Sequence, residues 1–290
     1  MRSRLVVLLS VLVLVLAACS SSGSSMSRGA AEASEPVVSP PAASPSADEP
    51  SAAAGGELTI YGAASLKGAL GKAQTAFEAA NPGTTLTIST DSSSALETQI
   101  EQGAPADVFL SADTKNPQVL VDKGLADGDP VTFAGNKLTI VVPTSNPAGI
   151  SSPADLAKAG VKVIGAGDSV PITKYATQLV ANLAKEAGYP ADFVAAYTAN
   201  VVSKEDNVKA LIAKIELGEG DAGIVYVTDA KASTKVKTID VPDSANVPAT
   251  YAGVVVKASK NAAAAHAFLD WFAGPDGQAI LAGFGFLPPS

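Results

Sequence analysis

The residues best placed to do chemistry in this chain are small neutral hydroxyls and bare backbone where strands hand over to helices. Tyr61-Gly-Ala-Ala-Ser65 leads from a strand into a helix, and Thr90-Asp-Ser92-Ser93-Ser94 does so after the next strand. Val170-Pro171-Ile172-Thr173 precedes a helix through Tyr175, and Ser203-Lys-Glu-Asp-Asn207 precedes one through Val208. A helix amino terminus carries unpaired N–H groups and the positive end of the helix dipole, which together suit an anion. In α/β sheets such starts gather beyond the carboxyl ends of the strands, so these four could converge on one small anion. The commonest use of a serine at a helix start is as a cap, and Ser94 with Glu97 has the spacing of a capping box. Small residues at Gly62–Ala64 permit close backbone approach, which favours a ligand near Ser65.

Other chemistries find few parts. The arginines are Arg2, Arg4 and Arg28, so the rest of the chain lacks the planar fork that usually clamps carboxylates and phosphates. The single histidine, His266, has no sequence partner for base catalysis and reads as structural, and one histidine cannot build a multi-His metal site. The single cysteine, Cys19, excludes a disulfide framework. No Gly-x-Ser-x-Gly elbow, Walker loop or dinucleotide fingerprint occurs, and Gly165-Ala-Gly167 reads as a plain turn. A net charge of −8 argues against a nucleic-acid partner, since neutralising phosphates needs clustered Lys and Arg. Aromatics at 5%, with Trp271 the one tryptophan, argue against a sugar-stacking groove. Tyr175 and Tyr226 could in principle hold ferric iron, but they are not adjacent in sequence and no His or Arg supports them.

These residues need a scaffold, and the pattern supplies one. Strands are expected at 58–61, 85–90, 107–111, 137–142, 161–164, 223–226, 236–241 and 251–256. Helices are expected from Ser65 through Phe77, from Ser94 through Ile100, and over 117–123, 174–187, 206–217 and 261–272. Alternating strands and helices over about 230 residues imply an α/β fold of two lobes with mostly parallel sheets. Ahead of it, residues 1–18 combine Arg2 and Arg4 with an apolar run, Leu5–Leu16, the composition of a signal peptide. Leu16-Ala-Ala-Cys19 resembles a bacterial lipoprotein box, which implies cleavage before Cys19 and a lipid on it outside the membrane. Residues 19–56 are rich in Ser, Ala and Pro and read as a flexible linker.

The same turns resemble a known family. Tyr61-Gly-Ala-Ala-Ser-Leu66, Asp91-Ser-Ser-Ser-Ala-Leu96 and Gly103-Ala-Pro-Ala-Asp-Val-Phe-Leu-Ser-Ala-Asp113 are similar to segments of the molybdate-binding proteins of ABC importers. So are Gly135-Asn136, Gly223-Ile-Val-Tyr226, and the stretch from Phe268 through Gly274-Pro275 to Gly285-Phe286. The resemblance spans 57–290 and implies a two-lobed periplasmic-binding-protein fold of type II, with a ligand cleft between lobes. The lobes would be 57–139 with 247–290, and 140–246. It implies a monomer without enzymatic activity or cofactor, which binds molybdate or tungstate and passes it to an ABC permease and its ATPase. By motif, Ser65 and Ser93 correspond to serine ligands, Ile172 and Val208 to backbone N–H donors, and Tyr226 to a tyrosine ligand. These would hold the oxyanion through its oxygens, without direct metal ligation. Val208 and Tyr226 keep the family's spacing, whereas Ile172 stands where a small residue is common. The alternative cargo is sulfate or thiosulfate.

Overall fold

The computed structural model describes residues 56–289. The leader over 1–18, the lipidation residue Cys19 and the linker up to residue 55 lie outside the described residues. In chain order the elements are β1 (Glu57–Ala63), α1 (Lys67–Ala80), β2 (Thr85–Asp91), α2 (Ser93–Glu101), β3 (Val108–Ser111), α3 (Lys115–Asp122) and β4 (Ala126–Asn136). The chain continues with β5 (Leu138–Pro143), β6 (Val163–Ala166), α4 (Pro171–Leu183), α5 (Phe193–Ala199), β7 (Val201–Glu205) and α6 (Val208–Glu216). It finishes with β8 (Ala222–Tyr226), α7 (Val227–Lys231), β9 (Val236–Ile239), β10 (Ala249–Val256), α8 (Ala262–Ala273) and α9 (Pro275–Phe284).

Two five-stranded sheets result, in the orders β2-β1-β3-β10-β4 and β7-β6-β8-β5-β9. In the first, β1 pairs in parallel with β2 and β3, while β10 runs antiparallel to β3 and β4. The second follows the same scheme, with β5 antiparallel to β8 and β9. Four strands of each sheet therefore point one way, and the reversed strand is the one entered from the other sheet. A crossover through a helix returns the chain parallel, whereas β5 and β10 begin straight after a crossing and insert from the opposite end. The crossings lie at Lys137 and at residues 240–248, and they are fastened together. Asn246 accepts from the Leu138 N–H at 3.0 Å and donates to the Leu138 carbonyl at 2.9 Å, and Lys137 Nζ meets Asp243 Oδ1 at 2.8 Å.

Apolar spacing explains how helices seat on these sheets. Leu70, Ala73 and Phe77 of α1 are buried, as their three- and four-residue spacing requires. Phe77 meets Phe268 and Trp271 of α8 edge-on, at ring separations of 5.1 Å each. Trp271 is thus packing material. Gly62 has a structural role different from the expected approach to a ligand: a Cβ there would lie 2.3 Å from Leu70 Cδ1, so the glycine lets α1 settle onto β1. His266 pairs with Asp127 on the surface at 3.0 Å, away from the cleft chemistry.

Candidate functional site

The carboxyl ends of β1 and β2 aim their following turns at the carboxyl-end turns of the second sheet, and a small cavity lies where they meet. Ser65, Ser93, Ile172, Val208 and Tyr226 all line it, together with Ser92, Ala112 and Asn207. The five residues singled out from sequence are thus neighbours, although they span 161 positions of chain (226 minus 65).

Each donor is set by its own local chemistry. Ser65 sits in a 3-10 turn, Ala64–Leu66, one step before α1, not at the α-helix start itself. Its Oγ lies 3.0 Å from the Tyr251 hydroxyl. Ser93 is the first residue of α2, and its Oγ accepts from the Ala112 N–H at 3.0 Å. The cap of α2 is Ser92, whose side chain accepts from Ala95 N at 3.4 Å. Ser94, expected as the cap, lies inside the helix and reaches Ser169 of the other lobe at 3.4 Å instead. The reason is local: Asp91 Oδ1 takes the Ser92 N–H at 2.7 Å, and Ala112 claims Ser93, so the helix starts two residues early.

In the second lobe the donors are backbone. Pro171 opens α4 and has no N–H, so the Ile172 N–H is the first that this helix offers. Asn207 caps α6 by accepting from the N–H groups of Lys209 and Ala210, each at 3.0 Å, which leaves the Val208 N–H to the cavity. The Asn207 amide also donates to Asp91 Oδ1 of the first lobe at 2.8 Å. Tyr226 ends β8; its side chain is buried, at 1% exposure, and its hydroxyl has no hydrogen-bond partner among the described residues. An orphaned buried donor costs about 1–3 kcal/mol, a cost that an acceptor in the cavity would remove.

Electrostatics favour a neutral shell around a negative guest. Burial pushes the Tyr226 phenol well above its ordinary range, with Tyr251 and Tyr175 adding to the shift. Burial likewise pushes Tyr175 up to about 12, reinforced by Asp113. Tyr175 and Tyr226 do meet in space, with ring centres 6.3 Å apart. Phenols held in the protonated form are hydrogen-bond donors. Among the described residues no group of three or more His, Cys, Asp or Glu is placed to hold a metal ion. Lys209 is drawn to the buried Asp229, with Nζ 2.7 Å from Oδ1. A larger cavity of about 840 Å³ opens beside the site, but Asp91, Glu97, Asp113, Asp168 and Asp206 outnumber Lys115 and Lys174 in its lining. That lining repels anions, whereas the smaller cavity brings the five residues singled out from sequence together.

Sequence reasoning missed two partnerships. Asp91 and Asn207 were both in quoted turns, yet nothing in either turn indicates that they bond to each other. Tyr251 and Asn136 stand behind Ser65, at separations of 186 and 71 positions that no local pattern reveals.

A model of the bacterial extracellular solute-binding proteins matches residues 58–287. The chain is 36% identical over 233 residues to the molybdate-binding protein ModA of Mycobacterium tuberculosis H37Rv, covering 80% of this chain and 85% of that one. Its fold is similar to the periplasmic molybdate-binding protein of Azotobacter vinelandii, with a TM-score of 0.68, 26% identity and coverage of 80% and 100%. The sulfate-binding protein SubI of M. tuberculosis H37Rv shares the fold, with a TM-score of 0.72, 24% identity and coverage of 80% and 86%.

Proposed function

Because this chain belongs to the bacterial extracellular solute-binding proteins, a family of two-lobed binders and not of enzymes, we propose that its cargo is molybdate, with tungstate as a second ligand. Cargo would be held between the lobes and handed to the permease and ATPase of an ABC importer. In this reading Ser65, Ser93 and Tyr226 donate hydroxyl hydrogens, and Ile172 and Val208 donate backbone N–H, all to oxygens of one tetrahedral dianion. The observation that carries it is the set of donors without acceptors: the buried Tyr226 hydroxyl together with two helix-start N–H groups, facing two serines across the cleft. No cofactor enters the scheme. Cys19, outside the described residues, would carry the lipid that keeps the monomer at the outer face of the membrane; Cys19→Ser should then release it into the soluble fraction.

Closure follows from the division of donors. Neither lobe alone completes the shell, and the Asn207–Asp91 bond joins the two at the cavity wall. Desolvating a dianion against neutral donors is tolerable because helix dipoles disperse its charge. The relative named for sulfate supports an alternative cargo at the level of fold alone. Titration calorimetry with molybdate, tungstate, sulfate, thiosulfate, hydrogenphosphate and ferric citrate tests the choice. Molybdate and tungstate should bind at least a hundredfold more tightly than the others; a tighter sulfate or thiosulfate would overturn it.

A further inference from the structure

The Ser65 hydroxyl is not free to choose between donating and accepting. Its direction can be followed from the far end of a hydrogen-bonded chain. The Lys137 N–H donates to Asn136 Oδ1 at 3.0 Å, which fixes the oxygen of that carboxamide and turns its NH₂ the other way. The NH₂ then faces Thr228 Oγ1 at 2.9 Å and the Tyr251 hydroxyl at 3.4 Å. An amide NH₂ only donates, so Tyr251 Oη accepts there and must send its own proton elsewhere. Ser65 Oγ, 3.0 Å away, is the acceptor within reach. One lone pair of Ser65 is thereby occupied from behind, and its proton has no acceptor among the described residues except what enters the cavity.

Taking the site as the oxyanion site described above, we propose that Tyr251, held by Asn136, is a positioning residue that turns the Ser65 proton into the cavity and so favours oxyanions that present acceptors there. The Ala112 N–H imposes the same role on Ser93. A molybdate dianion presents acceptors only, whereas hydrogenphosphate, of equal charge at pH 8.5, carries one O–H that would find donors opposite it. Tyr251 is wholly buried. Its phenol is held well above its ordinary range by burial first and the charge of Asp229 second, so ionisation does not reverse the chain.

A double-mutant cycle separates positioning from packing. Tyr251→Phe keeps the ring and removes only the hydroxyl; molybdate affinity should fall about tenfold. In a Ser65→Ala background the same change should have no further effect on affinity, because Tyr251 acts only through Ser65. Equal losses in both backgrounds would overturn the proposal and make Tyr251 a packing residue. Asn136→Asp offers a second, independent reading. A carboxylate there would accept from Tyr251, Tyr251 would accept from Ser65, and Ser65 would turn a lone pair to the cavity. The ratio of molybdate to hydrogenphosphate affinity at pH 8.5 should then narrow at least tenfold, while the added charge by itself weakens both dianions alike. An unchanged ratio would overturn the proposal. The wild-type titration keeps the two readings apart: if wild type binds another unprotonated oxyanion, the molybdate reading fails and the cycle is run with that ion. If it binds no oxyanion, both fail.

Discussion

The two lobes build their halves of the cavity from different materials. The first offers side chains: Ser65 and Ser93 are hydroxyls on rotatable bonds, each pinned from behind by Tyr251 or the Ala112 N–H. The second offers mainly peptide groups at the starts of α4 and α6, with the Tyr226 phenol as its one side-chain donor. Side-chain donors depend on residue identity and on the groups behind them, Tyr251 and the Ala112 N–H, that orient them. Backbone donors depend only on where the helix starts. In the proposed function, specificity would therefore be concentrated in the first lobe, and the second would supply donors that tolerate substitution, which is how Ile172 could stand where a smaller residue is common.

The largest test of that contrast is to delete donors from each side. Ser65→Ala, Ser93→Ala and Tyr226→Phe should each weaken molybdate binding about ten- to a hundredfold by calorimetry, the cost of one unsatisfied oxygen in a dry site. Ile172→Ala and Val208→Ala should stay within a few-fold of wild type; a loss matching Ser93→Ala would erase the distinction. Next in size is the bond that joins the halves. Asp91→Ala and Asn207→Ala should both speed ligand release, with affinity falling about fivefold for one lost hydrogen bond. Both should also lower the melting point of the unliganded protein, Asn207→Ala by uncapping α6 and Asp91→Ala by leaving the Ser92 N–H at the start of α2 without its acceptor.

Smaller effects separate the scaffold of α2 from its site serine. Ser92→Ala removes the observed cap and should cost about 1 kcal/mol of stability in denaturant unfolding, while Ser94→Ala should leave stability unchanged. The smallest effect depends on pH. Glu97, on the same helix, is raised to about 7, by burial first and then by its contacts with Glu101. An acid whose folded value is raised favours the fold while protonated and burdens it as pH climbs from about 4.5 toward 7. Glu97→Gln should leave the melting point unchanged at pH 4 and raise it at pH 8.

Much of this was legible because local signals and tertiary structure agree. The buried face of α1, the continuously apolar β5 and the five residues around the cavity follow from short-range patterns or from motif resemblance. What escaped has identifiable causes. The first half of β4, Ala126-Asp-Gly-Asp-Pro130, is polar and exposed because it lies at a sheet edge, so it shows neither strand alternation nor apolar content. The helix α9 opens on Pro275-Asp-Gly277 and looks like a turn, yet Gly277 is there because any Cβ would fall 2.0 Å from the Phe272 carbonyl. The capping box at Ser94 had the right spacing and the wrong serine, since the choice among three adjacent serines is made by Ala112 and Asp91, one of them from a different strand's end. Tyr251 carries no local mark at all, since its significance exists only once β10 lies near Ser65.

The lacing at Asn246 bears on how the two halves travel. Two separate threads between bodies allow bending, twisting and sliding, and each pass would bring the facing donors back in a slightly different register. Asn246 binds both the N–H and the carbonyl of Leu138, so the crossings behave as one ribbon. A ribbon flexes readily about a single axis and resists torsion, which turns the approach of the halves into the swing of a door on its frame. Under the closure proposed above, each closing stroke would return Asn207 to Asp91 and Tyr226 to the serines along the same arc, and few orientations would be lost when the door shuts.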